Sequence, residues 1–239
     1  MRTVDRILAT SDIHGQNTRF LNLLKEAQYD PDRDLLIMCG DHIDRGMENL
    51  DTLATVQSLV SKGAVALRGN HEQFLIEVIQ NMLTDPNWPR NQAVDVWARH
   101  NGGAEMLEEI QDLPEAKLRE IIEFITGLPN YFTIGNYIFT HAGVNPKKTM
   151  KQNTEDDFVW ADSDFAFRPA YRGKTIIFGH TPTWNFLPSV NARNDAKQRK
   201  HAKIWYDPIH KDKICVDTGS VFGGRLAALE IPSRREFYV

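Results

Sequence analysis

Cysteine is nearly absent: the 239 residues hold two, Cys39 and Cys215. Each lies inside an apolar stretch, "LLIMCG" and "KICVDTG", a setting that suits a small buried thiol in a strand. Two thiols so placed argue against a disulfide framework and against a metal site built on thiolates. Long apolar runs are missing as well, since no stretch approaches the roughly eighteen residues of a spanning helix. The opening "MRTVDRILATSDIHG" carries acids early and has no extended apolar core, unlike a signal peptide, so the expected compartment is the cytoplasm and no membrane partner is expected. Nor is there an excess of positive charge. Lys and Arg number 28 against 32 Asp and Glu, a formal net charge of -4, so nothing draws the chain to nucleic acid in general, and any taste for phosphate must come from a local site. At 41% hydrophobic content, 239 residues suffice for one domain, 1–239, with a substantial core.

What is present is a repeating pattern. An apolar strand, a short polar loop and an amphipathic helix follow one another in "RILATSDIHG" with a helix over 18–27, in "DLLIMCGDHIDRG" with a helix over 49–61, and in "AVALRGNHE" with a helix over 74–82. Such alternation predicts an α/β sheet layered with helices. Between about 85 and 127 the pattern turns helical, with Pro114 at a helix start, and reads as a helical insertion over one edge of the site. "NYFTIGNYIFTHAG" alternates around a Gly135-Asn136 turn and predicts a hairpin, while "KTIIFGHT" and "KICVDTGSVFGGRLAALEI" supply further strands.

Charged groups crowd the strand ends. "GDHIDRG" puts Asp41, Asp44 and Arg45 into one turn, and an ordinary turn has no use for all three. Asp12 and His14 in "SDIHG", Asn70 and His71 in "RGNHE", His141 in "THAG" and His180 in "FGHT" also follow apolar strands. In open α/β sheets, sites collect at the carboxyl ends of strands. Residues two apart on an extended segment share a side, so Asp12 and His14 are expected to grip one ion if the strand runs on to His14. Alone, each motif has a bland reading: a helix cap, a hydrogen-bonded core histidine, a turn. Together, this many polar groups would be costly to desolvate without an ion or a network to satisfy them. Oxygen and imidazole donors without thiolate suit Mn, Fe, Zn or Co.

DxH, GDxxDRG, GNHE, a lone H and a later GH occur here in order from Asp12 to His180, and in this the chain resembles the metallophosphoesterase superfamily, and within it the phosphoprotein phosphatases of the bacterial serine/threonine type. The resemblance implies a four-layer αββα fold, two mixed β-sheets packed as a sandwich with helices on both outer faces. It implies two divalent ions, Mn2+ first with Fe, Zn, Co or Ni as alternatives, the first held by Asp12 and His14, the second by Asn70, His141 and His180, with Asp41 bridging them. His71, steadied by Asp44, is implied as proton donor to the leaving group. Arg45 and Asn70 are implied as phosphate contacts, and the attacking group as a hydroxide between the ions. The expected substrate is a phosphoprotein, phosphopeptide or small phosphoester, and the expected activity that of a serine/threonine protein phosphatase. The alternatives are a symmetrical bis(5'-nucleosyl)-tetraphosphatase, which shares the metal blocks and a W…GG element like the one at Trp97–Gly103, and a scaffold that keeps metals without turnover.

The chain departs from the pattern in three places. His42 stands where an aromatic is usual and is read as a supporting or surface group. "VWADSD" has Asp162 where bacterial relatives carry a phosphate-binding Arg, so Arg168 or Arg172 is expected to supply the second phosphate contact. The basic segment with Arg193, Lys197, Arg199, Lys200 and Lys203 is either a solvated loop or a reader of acidic substrate. Arg68 is expected to be structural.

Overall fold

The computed structural model describes residues 4–160 and 165–239; Asp162 lies outside them. In chain order it forms β1 (Arg6–Thr10), α1 (Asn17–Glu26), β2 (Asp34–Met38), α2 (Asn49–Ser61), β3 (Val65–Ala66), α3 (Asn70–Thr84), α4 (Gln92–His100), α5 (Ala104–Ile110), α6 (Glu115–Thr126), β4 (Tyr131–Ile134) and β5 (Tyr137–Thr140). There follow α7 (Glu155–Val159), β6 (Thr175–Phe178), α8 (Val190–Asn194), α9 (Ala196–Lys200), β7 (Trp205–Tyr206), β8 (Lys213–Cys215), β9 (Ala227–Ile231) and β10 (Glu236–Tyr238).

The strands make two five-stranded sheets, ordered β10-β9-β1-β2-β3 and β4-β5-β6-β8-β7. Both are mixed: β1, β2 and β3 run parallel while β9 runs antiparallel to both its neighbours, β1 and β10, and β5, β6 and β8 run parallel between antiparallel β4 and β7. Their facing surfaces share one core, in which Ala9, Ile37 and Leu229 of the first sheet meet Phe139, Ile177 and Ile214 of the second. Outside the first sheet, Phe20 and Leu23 of α1 and Val56 of α2 cover Leu8, Leu36 and Met38. Outside the second, Phe158 of α7 and Phe165 cover Ile138, Ile176 and Phe178. This is the expected αββα sandwich. Cys39 and Cys215 are both fully buried free thiols, and burial pushes each thiol well up.

Between α3 and β4 the chain is helical, and Trp97, Met106, Ile110 and Leu118 form a separate apolar cluster with Leu75 and Ile79 of α3. Pro114 stands at the N-cap of α6. Ile134 pairs with Tyr137 across Gly135, whose φ of 57° closes the expected hairpin.

One ion-paired cluster ties the first sheet to its helical face. Arg6 donates to Asp34 at 2.9 Å and to Glu230 at 3.1 Å, and also to the Ala27 and Gln28 carbonyls, both at 2.7 Å. Burial works against the charge on Asp34, but the Arg6 guanidinium more than offsets it, so the carboxyl is held below its ordinary value. An Arg6→Met variant is expected to lose about 2 kcal/mol of stability near neutral pH, the scale of hydrogen bonds to charged groups. Because the folded carboxyl is depressed, this contribution is present above the unfolded value and fades as pH falls through the folded one. Denaturant midpoints of the two proteins should therefore converge in acid.

Candidate metal centre

Strand ends of both sheets meet at one rim. Each approach is stitched by backbone hydrogen bonds between loops: Asp12 N–H to Gly40 O at 3.1 Å, His14 N–H to Asp41 O at 3.0 Å, Gly15 N–H to His42 O at 2.8 Å, and Gly179 N–H to His141 O at 2.7 Å. The strand β1 stops at Thr10, so Asp12 and His14 are not on an extended segment as the spacing rule supposed. Both take positive φ, 55° and 46°, because zipping to the neighbouring loop turns the backbone over. Their side chains still converge, with Asp12 Oδ1 3.8 Å from His14 Nε2.

Backbone strain concentrates here. Nine described residues other than glycine have positive φ, and six of them are Asp12, His14, Asp41, Asp44, Arg45 and His180. At roughly 1–3 kcal/mol each, such a cluster persists only where surrounding contacts over-determine it, which points to a site. Close approach needs glycine too. A Cβ on Gly69 would stand 2.2 Å from Asp41 Oδ1, and one on Gly179 2.2 Å from Asp12 Oδ2.

Two groups of donor atoms share Asp41. In one, His14, Asp41 and His71 bring ligand atoms within 4.8 Å of one another; in the other, Asp41, His141 and His180 do so. Asp41 Oδ2 lies 3.6 Å from His14 Nε2, and Oδ1 lies 3.3 Å from His141 Nε2. Asn70 Oδ1 is 2.9 Å from both His141 Nε2 and His180 Nδ1, which are 3.1 Å apart. The rings are oriented from behind: His14 Nδ1–H donates to Ile43 O and His141 Nδ1–H to Cys39 O, each at 2.8 Å. That fixes Nε2 of both toward the centre, the way an outer hydrogen bond selects a ligating nitrogen.

The charges indicate what belongs there. Burial alone would lower His141, but Asp41 and Asp12 hold it up to about 9. Burial likewise opposes the Asp41 charge, yet the His141 and His71 imidazoles keep its carboxyl well below the ordinary range. His180 is pushed down to about 3 by burial and by His141, and burial raises Asp12 to about 6. Around Asp41 and Asp12 the pocket thus favours positive charge on His141, while His180 is left with a free lone pair, and a divalent ion takes the place of a proton in such a set. The residues fit a pair of divalent cations.

Beside this cage sits a buried dyad. His71 Nδ1–H donates to Asp44 Oδ2 at 2.7 Å, and its Nε2 faces Asp41 Oδ2 at 3.8 Å. Burial disfavours the His71 imidazolium, but Asp41 and Asp44 hold it above its ordinary value. Asp44 is raised to about 6, by burial, against the pull of His71. The same Oδ2 accepts from Trp97 Nε1–H at 2.7 Å, so the helical insertion reaches into the site through one indole. A Cβ on Gly103 would stand 2.1 Å from that indole, and Gly102 O accepts from the Arg45 N–H at 2.6 Å. Arg45 Nη1 lies 2.5 Å from His14 Nε2, with its guanidinium over the Phe222 ring at 5.1 Å.

Several supporting groups leave little mark in the sequence. The periodicity starts the third helix at Phe74, but α3 begins at Asn70, because Glu72 folds back to accept from Gly69 N–H at 2.8 Å and caps the turn. Glu72 also accepts from the Asp41 and His42 N–H groups, so it braces the GDxxDRG loop. Its place three residues after a glycine N-cap was a readable capping signal. His42 is fully buried and bonded to Leu67 O at 3.0 Å, which makes it a support and not a surface group. Arg68 donates to Thr126 O at 2.6 Å and is structural, as expected. Arg168 and Arg172 lie on the exposed segment before β6, while Arg45 is the arginine that reaches the cage.

A Trp97→Phe variant removes one hydrogen bond to a charged acceptor, worth about 1.5–3 kcal/mol. Turnover is expected to fall roughly 10–100-fold with metal content unchanged. Losing the indole donor also raises Asp44 further, so the acid limb of the pH–rate profile should move to higher pH. An unmoved limb would mean that the insertion supports packing alone.

The calcineurin-like phosphoesterase family pattern matches residues 5–217. The chain is a calcineurin-like phosphoesterase. It is 29% identical to the symmetrical bis(5'-nucleosyl)-tetraphosphatase of Dechloromonas aromatica, over 97% of this chain and 94% of that protein. It is 24% identical to serine/threonine-protein phosphatase 1 of Salmonella typhimurium, over 94% of this chain and 91% of that one. The crystal structure of a metallophosphoesterase from Sphaerobacter thermophilus superposes with a TM-score of 0.55 at 17% identity, covering 98% of this phosphoesterase and 87% of that chain. As a member of this family the chain is a hydrolase.

Proposed function

We propose that this phosphoesterase uses a dinuclear centre held by Asp12, His14, Asp41, Asn70, His141 and His180 to hydrolyse nucleoside polyphosphates. The observation that carries the dinuclear reading is Asp41, whose two oxygens face separate groups of imidazole nitrogens, His14 on one side and His141 on the other. When bound, two divalent ions supply Lewis acidity toward phosphoryl oxygens and an acidified water. The chain does the rest. His71 holds a proton on Nε2 beside the cage, ready for the departing oxygen, because Asp44 stabilises its imidazolium. Arg45 offers forked donors to phosphoryl oxygens. Asp12, Asp41 and the orienting carbonyls of Cys39 and Ile43 fix the ligand geometry before substrate arrives.

Two substrate classes compete. The tetraphosphatase of D. aromatica is the more similar in sequence of the two relatives compared, and this supports a nucleotide. A second reading, the phosphoserine or phosphothreonine of a protein, has its own support in Trp160 and Phe222, apolar rings 41% and 49% exposed at the rim and suited to peptide side chains. The metal requirement is tested first: chelation should abolish turnover, and added Mn2+ should restore it. Initial rates on diadenosine tetraphosphate against a phosphothreonine peptide then separate the classes. Turnover of the peptide alone would sink the nucleotide reading.

A further inference from the structure

A cleft of about 390 Å³ borders His180. Its walls are aromatic. Phe186 is anchored against Trp205 at 4.5 Å between ring centres, and meets the exposed Phe167 edge to face at 6.4 Å. Phe167 is 53% exposed, an unusual expense of apolar surface for a ring with nothing over it. Polar groups gather at the mouth: Thr181, Asn185 and Arg193 line the cleft with His180. Arg193 is half-buried, and its Nε–H is spent on Leu187 O at 2.9 Å. Its terminal nitrogens have no protein partner among the described residues. Of the basic segment that begins at Arg193 and ends at Lys203, this is the side chain that lines the cleft.

Resting on the nucleotide reading above, we propose that this cleft is the base subsite: Phe167 and Phe186 take a nucleobase face, Thr181 and Asn185 its polar edge, and Arg193 the adjoining phosphate. The volume falls in the range of ligand pockets, which are mostly apolar with a few placed polar groups. Aromatic side chains are general platforms for bases, since every base has a π-face. A plain phenyl ring would leave Asn185 and Thr181 without a partner, so a base fits the lining better. Because the cleft shares His180 with the cage, a base seated there delivers its phosphate chain to the centre.

The test uses the metal-loaded enzyme and three probes. Adenosine, which has no phosphate, should bind the wild type by calorimetry and compete with diadenosine tetraphosphate. Phe167→Ala, at an exposed position outside the catalytic machinery, should weaken adenosine and raise KM for the dinucleotide about tenfold with kcat kept, the scale of one lost stacking contact. Turnover of glycerol 2-phosphate should not change. Arg193→Gln should raise KM for the dinucleotide while leaving adenosine binding intact. Absence of adenosine binding to the wild type overturns the subsite whatever the activities, and so does an equal KM increase for phenyl phosphate in Phe167→Ala. Failure of the wild type to hydrolyse diadenosine tetraphosphate would instead strike the nucleotide reading, even if adenosine binds.

Discussion

A His71→Asn variant should hydrolyse alkyl phosphate esters roughly 10²–10⁴-fold more slowly than the parent, the span typical of a lost general acid. The expectation follows from where the ring sits. His71 is 1% exposed, its Nδ1–H is committed to Asp44, and its Nε2 faces the shared carboxylate of Asp41. Only one nitrogen can release a proton into the centre. The two carboxylates raise the imidazolium above its usual value, so it keeps its proton to higher pH than a free imidazole although burial opposes this. Asn preserves a polar side chain and the helix N-terminus, so both ions should remain by elemental analysis. A leaving group that departs without help should mask the defect, and p-nitrophenyl phosphate should therefore suffer much less than an alkyl ester. Equal losses on both would mean that His71 positions substrate or metal and does not give up a proton.

The dyad also shows how far the site was legible in the sequence. Asp12, His14, Asp41, Asn70, His141 and His180 stand at the ends of strands or the start of a helix, and their convergence follows from strand order, which apolar runs and short loops announce. The pairing of His71 with Asp44 was likewise expected and is seen at 2.7 Å. What the sequence hid is support that depends on three-dimensional approach. Trp97 lies 53 positions from Asp44, on a helix that local periodicity places only as an insertion. Glu72 reads as an ordinary acid in a helix's first turn, yet it braces a loop 30 residues away. The geometry of Asp12 and His14 departs from the spacing for a different reason. Period-two reasoning assumes continued extension, and here loop-to-loop hydrogen bonds impose positive φ instead. Helix and strand boundaries elsewhere lay close to expectation because capping residues and glycines mark them, as at Gly135 and Pro114.

The sharpest division between a dinuclear centre and a mere cluster of polar groups is the charge on Asp41. An Asp41→Asn variant keeps the shape of the side chain, including an oxygen able to accept from the His71 N–H at 3.1 Å. It removes the one negative charge that both donor groups share, and it turns an NH2 toward one of them. If Asp41 bridges two ions, both should weaken together. Affinity should fall by more than the roughly 10–100-fold that loss of an outer supporting partner costs, and elemental analysis of the dialysed protein should find clearly fewer than two ions per chain. Activity should return in part at high Mn2+, in proportion to occupancy. The imidazoles respond too: without its main counter-charge, His141 should drop from about 9, which NMR titration of the metal-free protein can follow. Two ions retained at full occupancy with activity lost would place Asp41 outside the ligand set, and one ion retained with unchanged affinity would assign it to a single metal.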